Sequence, residues 1–336
     1  GVQQVVLTGK ALLLPSAGNA RFAATVSDLA GHVVFARGAS LWALPFDVSR
    51  LQATGPPVQV LDGLKTEYRG SQHFALSQNG TLAYVPGAAG AGASASLVWV
   101  DRQGKVSPLG LPKRTFGNFR VSPDGKRVAV AIQGVTSDIW IHDLARGTLV
   151  RLTSENNNSS PVWTPDSRLI VFSSSKGGPA SLFWMPADGS GEAELLASPG
   201  RSPRPDSISP DGQVLLYGEE QPGSGMDVGM VRLKSDRKPE PFLRTRFSEW
   251  GPAFSPDGRW VAYTSDESGQ YEIYVRPFPG PGAKVQVSTG GGEEPVWSAG
   301  GRELSYRIGT KWMAVPVQTA PEFTAGAARQ LFEGPY

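Results

Sequence analysis

Apolar and polar residues alternate along the chain in short runs that are bounded by Gly, Pro, Asp or Ser. The clearest runs follow a Ser-Pro-Asp-Gly tetrapeptide, in VSPDGKRVAV (121–130), ISPDGQVLLY (208–217) and FSPDGRWVAY (254–263). In such a turn Pro presets φ, Asp bonds the backbone that follows it, and Gly accepts a positive φ. Each tetrapeptide therefore predicts a hairpin, and the alternation after it predicts the second strand.

Weaker copies of this hairpin make the pattern a repeat: VSDLAGHVVF (26–35), LSQNGTLAYV (76–85), WTPDSRLIVF (163–172) and WSAGGRELSY (297–306). The repeats lie 42 to 50 residues apart when they are anchored on their Ser or Thr, at Ser27, Ser77, Ser122, Thr164, Ser209, Ser255 and Ser298. That period suits a sheet of four short strands, which is the size of a propeller blade.

A third strand follows each hairpin, as in DIWIHDL (138–144) and EIYVRPF (272–278), and a shorter fourth strand ends the unit, as in LVRLT (149–153) and VQVST (285–289). One such sheet cannot bury both of its apolar faces, so the units must stack face to face, and a ring protects all but the outer edges. The pattern predicts an all-β protein: a seven-bladed β-propeller of four-stranded antiparallel blades, closed by a terminal strand, in one domain over residues 1–336.

The segment VQQVVLTG (2–9) is one fourth strand more than seven blades need. In a closed ring, either this segment or 329–336 completes the last blade. Alternatively, the chain is a piece of a longer array, and 2–9 belonged to a lost upstream blade. In each case an unpaired edge near a terminus would invite a dimer contact.

Composition narrows the classes of function. The 336 residues include 41 Gly and 28 Pro but no Cys, which excludes disulfides, thiolate metal ligands and cysteine nucleophiles. The 32 basic and 30 acidic side chains are interspersed, and they give no footprint for nucleic acid or for an anionic membrane. The apolar stretch at 11–15 is too short for a membrane span and lacks a signal-peptide pattern, so we expect a soluble chain, trimmed at its start.

The Ser-Pro-Asp-Gly hairpins and the segment DIWIHDLARGTLVRLT (138–153) resemble the TolB-like, WD-type propeller family. SLWALPFDVSRLQATGPPVQVLDG (40–63) and FTAGAARQLFEG (323–334) are most similar to the C-terminal propellers of bacterial serine/threonine protein kinases. The resemblance implies an extracytoplasmic or periplasmic propeller that senses or binds something, while a kinase domain lies inside the cell. The chain itself has no His-Arg-Asp or Asp-Phe-Gly triplet.

In a propeller, the residues that enter each innermost strand converge on one end of the axial channel. Counting four or five positions back from each anchor predicts a polar ring at that mouth. We expect this ring to bind the ligand through His73, Asn118, Ser160, Arg204, Trp250 and Glu294.

These residue types allow different chemistries. His73 would act as a ligand or general base, since imidazole titrates near neutrality. Arg204 would clamp an anion. An oxygen-rich cage would suit a hard cation such as Ca²⁺, with Asn118, Asp206, Glu249 and Glu294 as ligands. The alternatives to a ligand-binding role are purely structural: a hydrogen-bonded histidine, solvated surface charges and packed aromatic side chains. We expect the repeated turn aspartates to be structural: Asp124, Asp166, Asp211 and Asp257.

No nucleophile elbow, paired-histidine motif or calcium-loop motif occurs in the sequence. The leading expectation is a non-catalytic binding or sensor propeller that takes a peptide, a glycan, a small molecule or another protein. The alternative is a metal-assisted hydrolase of a lactone, ester or phosphotriester, with a cation and an activated water at the axis and His73 as its catalytic residue. A scaffold for protein interactions without a pocket is the third reading.

Overall fold

Antiparallel β-strands form the regular structure of this protein. The computed structural model describes residues 2–7, 10–15, 18–24, 30–37, 40–47, 50, 52–62, 74–76, 82–84, 95–223 and 225–334. No helix occurs in these ranges, and therefore none that could act as a membrane span. By its contacts the chain divides into two units, 1–94 and 95–336. The all-β prediction is confirmed for the described residues, whereas the single domain over 1–336 stays a prediction.

The described residues of the first unit form three sheets. The first pairs β1 (Val2–Leu7) with β2 (Lys10–Pro15), and the third pairs β8 (Phe74–Leu76) with β9 (Leu82–Tyr84). The second sheet consists of β3 (Gly18–Ala24), β4 (Ala30–Arg37), β5 (Ser40–Asp47), β6 (Gln52–Ala53) and β7 (Val58–Asp62). The N-terminal segment, expected as a surplus fourth strand, thus pairs with the strand that follows it in sequence.

The second unit begins with a two-stranded sheet of β10 (Val98–Val100) and β11 (Val106–Pro108), and five larger sheets follow. Sheet A contains β12 (Phe116–Val121), β13 (Arg127–Gln133), β14 (Ser137–Asp143) and β15 (Leu149–Arg151). Sheet B contains β16 (Asn158–Trp163), β17 (Leu169–Ser174), β18 (Ser181–Pro186) and β19 (Glu194–Ala197). Sheet C contains β20 (Arg201–Ile208), β21 (Val214–Gln221), β22 (Gly225–Arg232) and β23 (Pro239–Leu243).

Sheet D contains β24 (Glu249–Phe254), β25 (Trp260–Ser265), β26 (Glu272–Pro277) and β27 (Val285–Gln286). Sheet E contains β28 (Glu293–Trp297), β29 (Glu303–Ile308), β30 (Lys311–Gln318), β31 (Thr324–Ala325) and β32 (Arg329–Glu333). Neighbouring strands of sheets A to D follow one another in sequence, as in the predicted four-stranded blades. The count of seven blades and the closure of a ring stay predictions.

Sheet E and the sheet of β3–β7 have the same topology. In both, two separate strands pair with the third strand of the sheet, β6 and β7 with β5, and β31 and β32 with β30. The register also matches, since Ser40 pairs with Asp62 as Lys311 pairs with Glu333, and both pairings contain an irregularity one residue further along. The described strands within 40–62 and those within 311–333 therefore have the same pairing and register.

Adjacent sheets of the second unit stack face to face. Ile139 of sheet A packs with Ile170 and Phe172 of sheet B, while Val171, which points to the opposite face, packs with Leu215 of sheet C. Similar clusters join sheet C to sheet D and sheet D to sheet E. Both faces of an interior sheet are thus buried, which accounts for strands that are apolar at successive positions.

The Ser-Pro-Asp-Gly turns of sheets A, C and D, and the related turns of sheets B and E, lie at one end of each sheet, which we call the turn end. Ser255 donates its hydroxyl to Asp257 at 2.6 Å and accepts the backbone N–H of Trp260 at 3.0 Å. The turns also stack on one another, because a Cβ added to Gly258, where φ is +70°, would meet Pro210 of the preceding turn at 3.4 Å. These contacts support the structural role predicted for the turn aspartates.

The opposite end of each sheet, where the first strand begins and the third strand begins, is called the entry end here. The first strands of successive sheets contact each other, from β12 to β16, β20, β24 and β28. Side chains on these strands, although far apart in sequence, therefore lie in one row. The predicted ring residues of sheets A to E belong to this row.

Candidate functional site

β-Bulges interrupt the row of first strands. The pairing of first and second strands shifts between Ser159 and Val162, between Trp250 and Ala253, and between Glu293 and Val296. A bulge bends the strand and leaves its extra residue outside the ladder. The first strands therefore do not present a continuous ladder at the predicted site.

Each of these three bulges contains a residue in the left-handed conformation, four positions before the Ser or Thr that anchors its repeat. Ser160, Gly251 and Glu294 have φ values of 53°, 63° and 59°, and each precedes a proline. The left-handed conformation is unfavourable for residues other than glycine, by about 1–3 kcal/mol. Ser160 and Glu294 adopt it because the bulge and the sheets on either side fix the backbone, and this aims both side chains differently from those of a regular strand.

Asn118 and Ser160 are two predicted site residues that the structure brings together. The Ser160 hydroxyl donates to Oδ1 of Asn118 at 3.4 Å, from sheet B to sheet A. Asn118 is half-buried, and Ser160 is buried. Residues 42 positions apart in sequence thus contribute to one polar surface.

Arg204 and Asp206 lie on β20, where the pairing with β21 is irregular on either side of Pro205. Oδ2 of Asp206 accepts the backbone N–H of Gly218 at 3.0 Å, which ties the carboxylate to the second strand. Arg204 approaches Glu220 at 3.6 Å, and both side chains are partly exposed, at 41% and 50%.

Burial raises the pKa of Asp206 to about 6, even though three groups favour its charged form. These are the guanidinium group of Arg120, the N–H of Gly218 and the guanidinium group of Arg204. Arg120 lies on β12 of sheet A, with sheet B between it and Asp206. Sequence counting missed Arg120, because it lies two positions before its anchor.

Glu249 and Trp250 begin the first strand of sheet D, and both are buried. Thr245 donates its hydroxyl to Oε1 of Glu249, while Oε2 has no hydrogen-bond partner in the structure. Burial raises the pKa of Glu249, and the carboxylates of Asp227, Glu267 and Asp266 act in the same direction. The ring of Trp250 packs edge-on against Tyr271, with centroids 6.0 Å apart.

Glu294 forms a two-pronged ion pair. Nε and Nη2 of Arg307 donate to its two carboxylate oxygens at 3.2 Å and 3.1 Å. The backbone of Glu293, beside it, pairs with the same arginine. Arg307 thus holds the predicted cation ligand Glu294 on sheet E itself.

A hydrogen-bond arrangement that the sequence did not predict repeats at the entry end of sheets A and D. Thr153 donates its hydroxyl to Asp138 at 3.1 Å and accepts the N–H of Ile139 at 2.9 Å. Ser288 contacts Glu272 and the N–H of Ile273 in the same manner in sheet D. Its sequence signal is an acid followed by isoleucine in the third strand and a hydroxyl residue at the end of the fourth.

His73 lies outside the described residues, so its predicted role is not addressed by the geometry. No group of three or more His, Asp or Glu side chains with metal-binding spacing occurs in the ranges that the structure describes. Asp206, Glu249 and Glu294 each have the separate protein partners given above.

A hollow of about 490 Å³ lies at the turn end of sheet A, far along the sheet from these residues. Its lining consists of Gly125, Lys126, Asp143, Leu144, Ala145 and Arg146. The Asp143 carboxylate there already accepts the N–H groups of Ala145 and Arg146, at 3.0 Å and 2.9 Å. The chemistry of the first strands, and not this open hollow, therefore defines the candidate site.

Comparison with known proteins gives a family model, described as the TolB beta propeller domain, that matches residues 104–299. An uncharacterized peptidase, YuxL, from Bacillus subtilis is 28% identical over 204 residues, which are 46% of this chain and 31% of the peptidase. An uncharacterized protein, Atu1656, from Agrobacterium fabrum is 23% identical over 200 residues, which are 55% of this chain and 67% of that protein. The chain thus spans less than a third of the length of the peptidase it matches.

Solved structures share the fold at low sequence identity. A putative TolB from Agrobacterium tumefaciens superimposes with a TM-score of 0.57 and 18% identity, over 68% of this chain and 84% of that one. TolB from Acinetobacter baumannii gives a TM-score of 0.53 and 15% identity, over 86% of this chain and 78% of that one. At these identities the likeness concerns the fold alone.

Proposed function

Because the chain belongs to the TolB beta propeller domain family, we propose that it is a non-catalytic binding module whose ligand lies against the first strands of sheets A to E. The observation that carries this proposal is the contact between Asn118 and Ser160, which joins polar groups of two sheets into one surface. Family membership alone would not suffice, since propellers serve both binding and catalysis.

A peptide is the ligand that this surface suits best. Bulges at Ser160 and Glu294 take residues out of the ladder, so that main-chain donors and acceptors become available to another polypeptide. Glycans, small molecules and a protein surface are the other outcomes that a binding screen would distinguish.

We extend the proposal to the finer features that the sequence predicts. Anchors at Ser27 and Ser77 support seven blades, with closure by a terminal strand. The segments typical of bacterial kinase propellers support a sensor role outside the cytoplasmic membrane. The C-terminal strand β32, which lies at the outer edge of sheet E, supports a dimer through a terminal edge.

The test is a binding screen of the whole chain by thermal shift, followed by calorimetry on the hits. We expect peptides to bind, and we expect Ser160→Gly to weaken binding about tenfold, since it removes the hydroxyl but tolerates the positive φ. Ser268→Ala, at an exposed turn, is the matched control. Binding that is indifferent to Ser160→Gly, or an absence of peptide binding, contradicts the proposal.

The metal-assisted hydrolase stays the alternative prediction, with Ca²⁺ held by Asn118, Asp206, Glu249 and Glu294. It requires a stoichiometric metal in elemental analysis and an esterase or lactonase activity that a chelator abolishes. A chain that turns over such a substrate in a metal-dependent way would replace the binding proposal.

A further inference from the structure

We propose that the outer cleft between sheets A and B binds an extended segment of another protein, through an aromatic side chain and a carboxylate next to it. This A–B cleft is lined by Val150 and Leu152 on one side and by Ala193 and Leu195 on the other. Leu152 and Ala193 are partly buried against the core that joins the two sheets. The cleft lies at the fourth strands, the opposite edge of each sheet from the first strands, so this site is separate from the one proposed above.

Two exposed apolar side chains form the outer positions of the A–B cleft. Val150 of β15 is 61% exposed, and Leu195 of β19 is 55% exposed. Val150 pairs with Ile141, and Leu195 pairs with Phe183. Both of these partners belong to the core cluster between sheets A and B. Because directly paired residues lie on the same face of a sheet, both exposed side chains face the A–B cleft.

The cleft between sheets C and D has the same construction but polar outer positions. When the sheets are aligned on their third strands, Glu240 of β23 takes the place of Val150. Gln286 of β27 takes the place of Leu195. Charged and polar side chains on edge strands protect a sheet from contacts with other chains. The apolar outer positions of the A–B cleft lack this protection, which favours a partner there.

Aromatic side chains of the protein itself cover the C–D cleft. Phe242 and Phe278 pack there with ring centroids 5.7 Å apart. The corresponding residues of the A–B cleft are Leu152 and Ala187, which are smaller. An aromatic ring from a partner would cover Leu152 as Phe278 covers Phe242. This comparison is the reason for choosing an aromatic side chain as the occupant.

Lys176 brings a positive charge to the A–B cleft. Its Nζ donates to the carbonyl oxygen of Ala193 at 3.4 Å. In sheet D, which has the same register, the two corresponding positions hold Glu267 and Lys284, and these form an ion pair with each other. Sheet B has a cation at one position and alanine at the other, so this pair of positions supplies no countercharge. A carboxylate of the partner would complement the charge of Lys176.

The experiment uses the whole chain with isotope-labelled methyl groups and the peptide Ser-Ser-Phe-Glu-Ser-Ser, acetylated and amidated at its ends. We expect the peptide to shift the NMR signals of the Val150 and Leu195 methyl groups. Replacing its Phe with Ala should weaken binding about tenfold, because the contact of the ring is lost. Replacing its Glu with Gln should weaken binding about threefold, because a partly exposed ion pair is lost.

Substitutions in the protein install residues of the C–D cleft. Val150→Glu and Leu195→Gln should each weaken binding at least about tenfold, because they replace apolar contacts with groups that must be desolvated. Lys176→Glu should reverse the charge preference, so that Ser-Ser-Phe-Lys-Ser-Ser binds more tightly than the peptide with Glu. Val135→Glu changes another exposed valine of sheet A and is the matched control, which should bind as the parent does.

Binding that does not respond to Val150→Glu or Leu195→Gln, or unchanged methyl signals with excess peptide, overturns the proposal. If the same signals shift with protein concentration alone, a second copy occupies the cleft, and the proposal is wrong. A charge preference that survives Lys176→Glu excludes the carboxylate. Ser160→Gly should leave this binding unchanged, so the site at the first strands is tested separately.

Discussion

Asn158 lies 3.4 Å from Asp138 where sheets A and B meet, with its amide nitrogen facing the carboxylate. The corresponding positions between sheets C and D are taken by Glu249, the first residue of β24, and Asp227, the third residue of β22. Glu249 thus places a carboxyl group at the position where Asn158 has its donating amide. The carboxylate of Asp227 raises the pKa of Glu249. Because Glu replaces Asn at this position, the hydrogen-bonded pair of Asn158 and Asp138 corresponds to two carboxyl groups, Glu249 and Asp227.

Replacing Glu249 with Gln should stabilise the protein at neutral and alkaline pH. The folded pKa of Glu249 is raised by burial, so its ionised form opposes folding. This penalty is absent below the ordinary carboxyl pKa and grows as the pH rises through the folded pKa. Gln removes the charge and keeps the acceptor for Thr245. We expect a gain of roughly 1 kcal/mol at about pH 8, measured by chemical denaturation.

The gain should be smaller at acidic pH than at alkaline pH, because the penalty for the ionised form of Glu249 declines as the pH falls. Destabilisation by Glu249→Gln at both pH values would refute the interpretation, since it would mean that the ionised carboxylate has a favourable partner.

The same substitution at Glu272 should have the opposite effect. Glu272 is also buried, but it accepts hydrogen bonds from Gln270 at 2.7 Å, from the N–H of Gly291 at 2.9 Å and from Ser288. An amide would point a donor at one of these donors. We expect Glu272→Gln to lower the free energy of unfolding by roughly 1–3 kcal/mol. If Glu249→Gln and Glu272→Gln behaved alike, the difference in hydrogen bonding between the two sites would not govern stability.

The repeated turns predicted most strands because turn formation and strand alternation depend on residues that are close together in sequence. The third strands predicted at 138–144 and 272–278 are observed at Ser137–Asp143 and Glu272–Pro277, each within one residue of the prediction. The fourth strand predicted at 285–289 shortens to Val285–Gln286, because Val287 and Ser288 turn to bond Ile273.

The bulge at Ser160 could not be predicted, since a left-handed serine depends on how neighbouring sheets fix the backbone. A fixed spacing from the anchors was enough to place Asn118 and Ser160 together, because every sheet has the same construction. It did not identify Arg120 of sheet A, whose charge lowers the pKa of Asp206 on sheet C. Nor could it show that Glu249 is buried beside Asp227, a residue of the preceding sheet. Contacts between repeats are set by how the sheets stack, and the sequence period carries no direct record of them.

The loop at 101–105 should open when Glu303 is changed. Arg102 reaches from this loop to both carboxylate oxygens of Glu303, at 2.7 Å and 2.8 Å, and Arg329 shares the same carboxylate at 3.1 Å. The hydrogen bond and charge of Arg102 lower the pKa of Glu303. The resulting stabilisation is present above the ordinary pKa of a glutamate and is lost as the pH falls through the lowered one.

We expect Glu303→Gln to accelerate trypsin cleavage after Lys105 several-fold at neutral pH, as followed by mass spectrometry. Glu240→Gln breaks an exposed pair with Arg232 elsewhere and is the control. An unchanged cleavage rate in Glu303→Gln would show that other contacts hold the loop.

The titration of Asp206 should report directly on Arg120 and Arg204. Its pKa of about 6 reflects burial, which raises it, against the two arginines and the N–H of Gly218, which lower it. Removing either guanidinium charge should therefore raise the pKa further in Arg120→Gln and in Arg204→Gln. The carboxyl carbon resonance of Asp206, followed by NMR over a pH titration, measures this, with Asp206→Asn to assign the signal.

Because the folded pKa is above the ordinary value, Asp206 should also make the protein less stable as the pH rises through about 6. Asp206→Asn should flatten this part of the stability profile while its amide oxygen keeps the bond from Gly218. Arg146→Gln should leave the titration of Asp206 unchanged. A pKa that moves with Arg204→Gln but not with Arg120→Gln would show that the charge of Arg120 on sheet A does not act on Asp206.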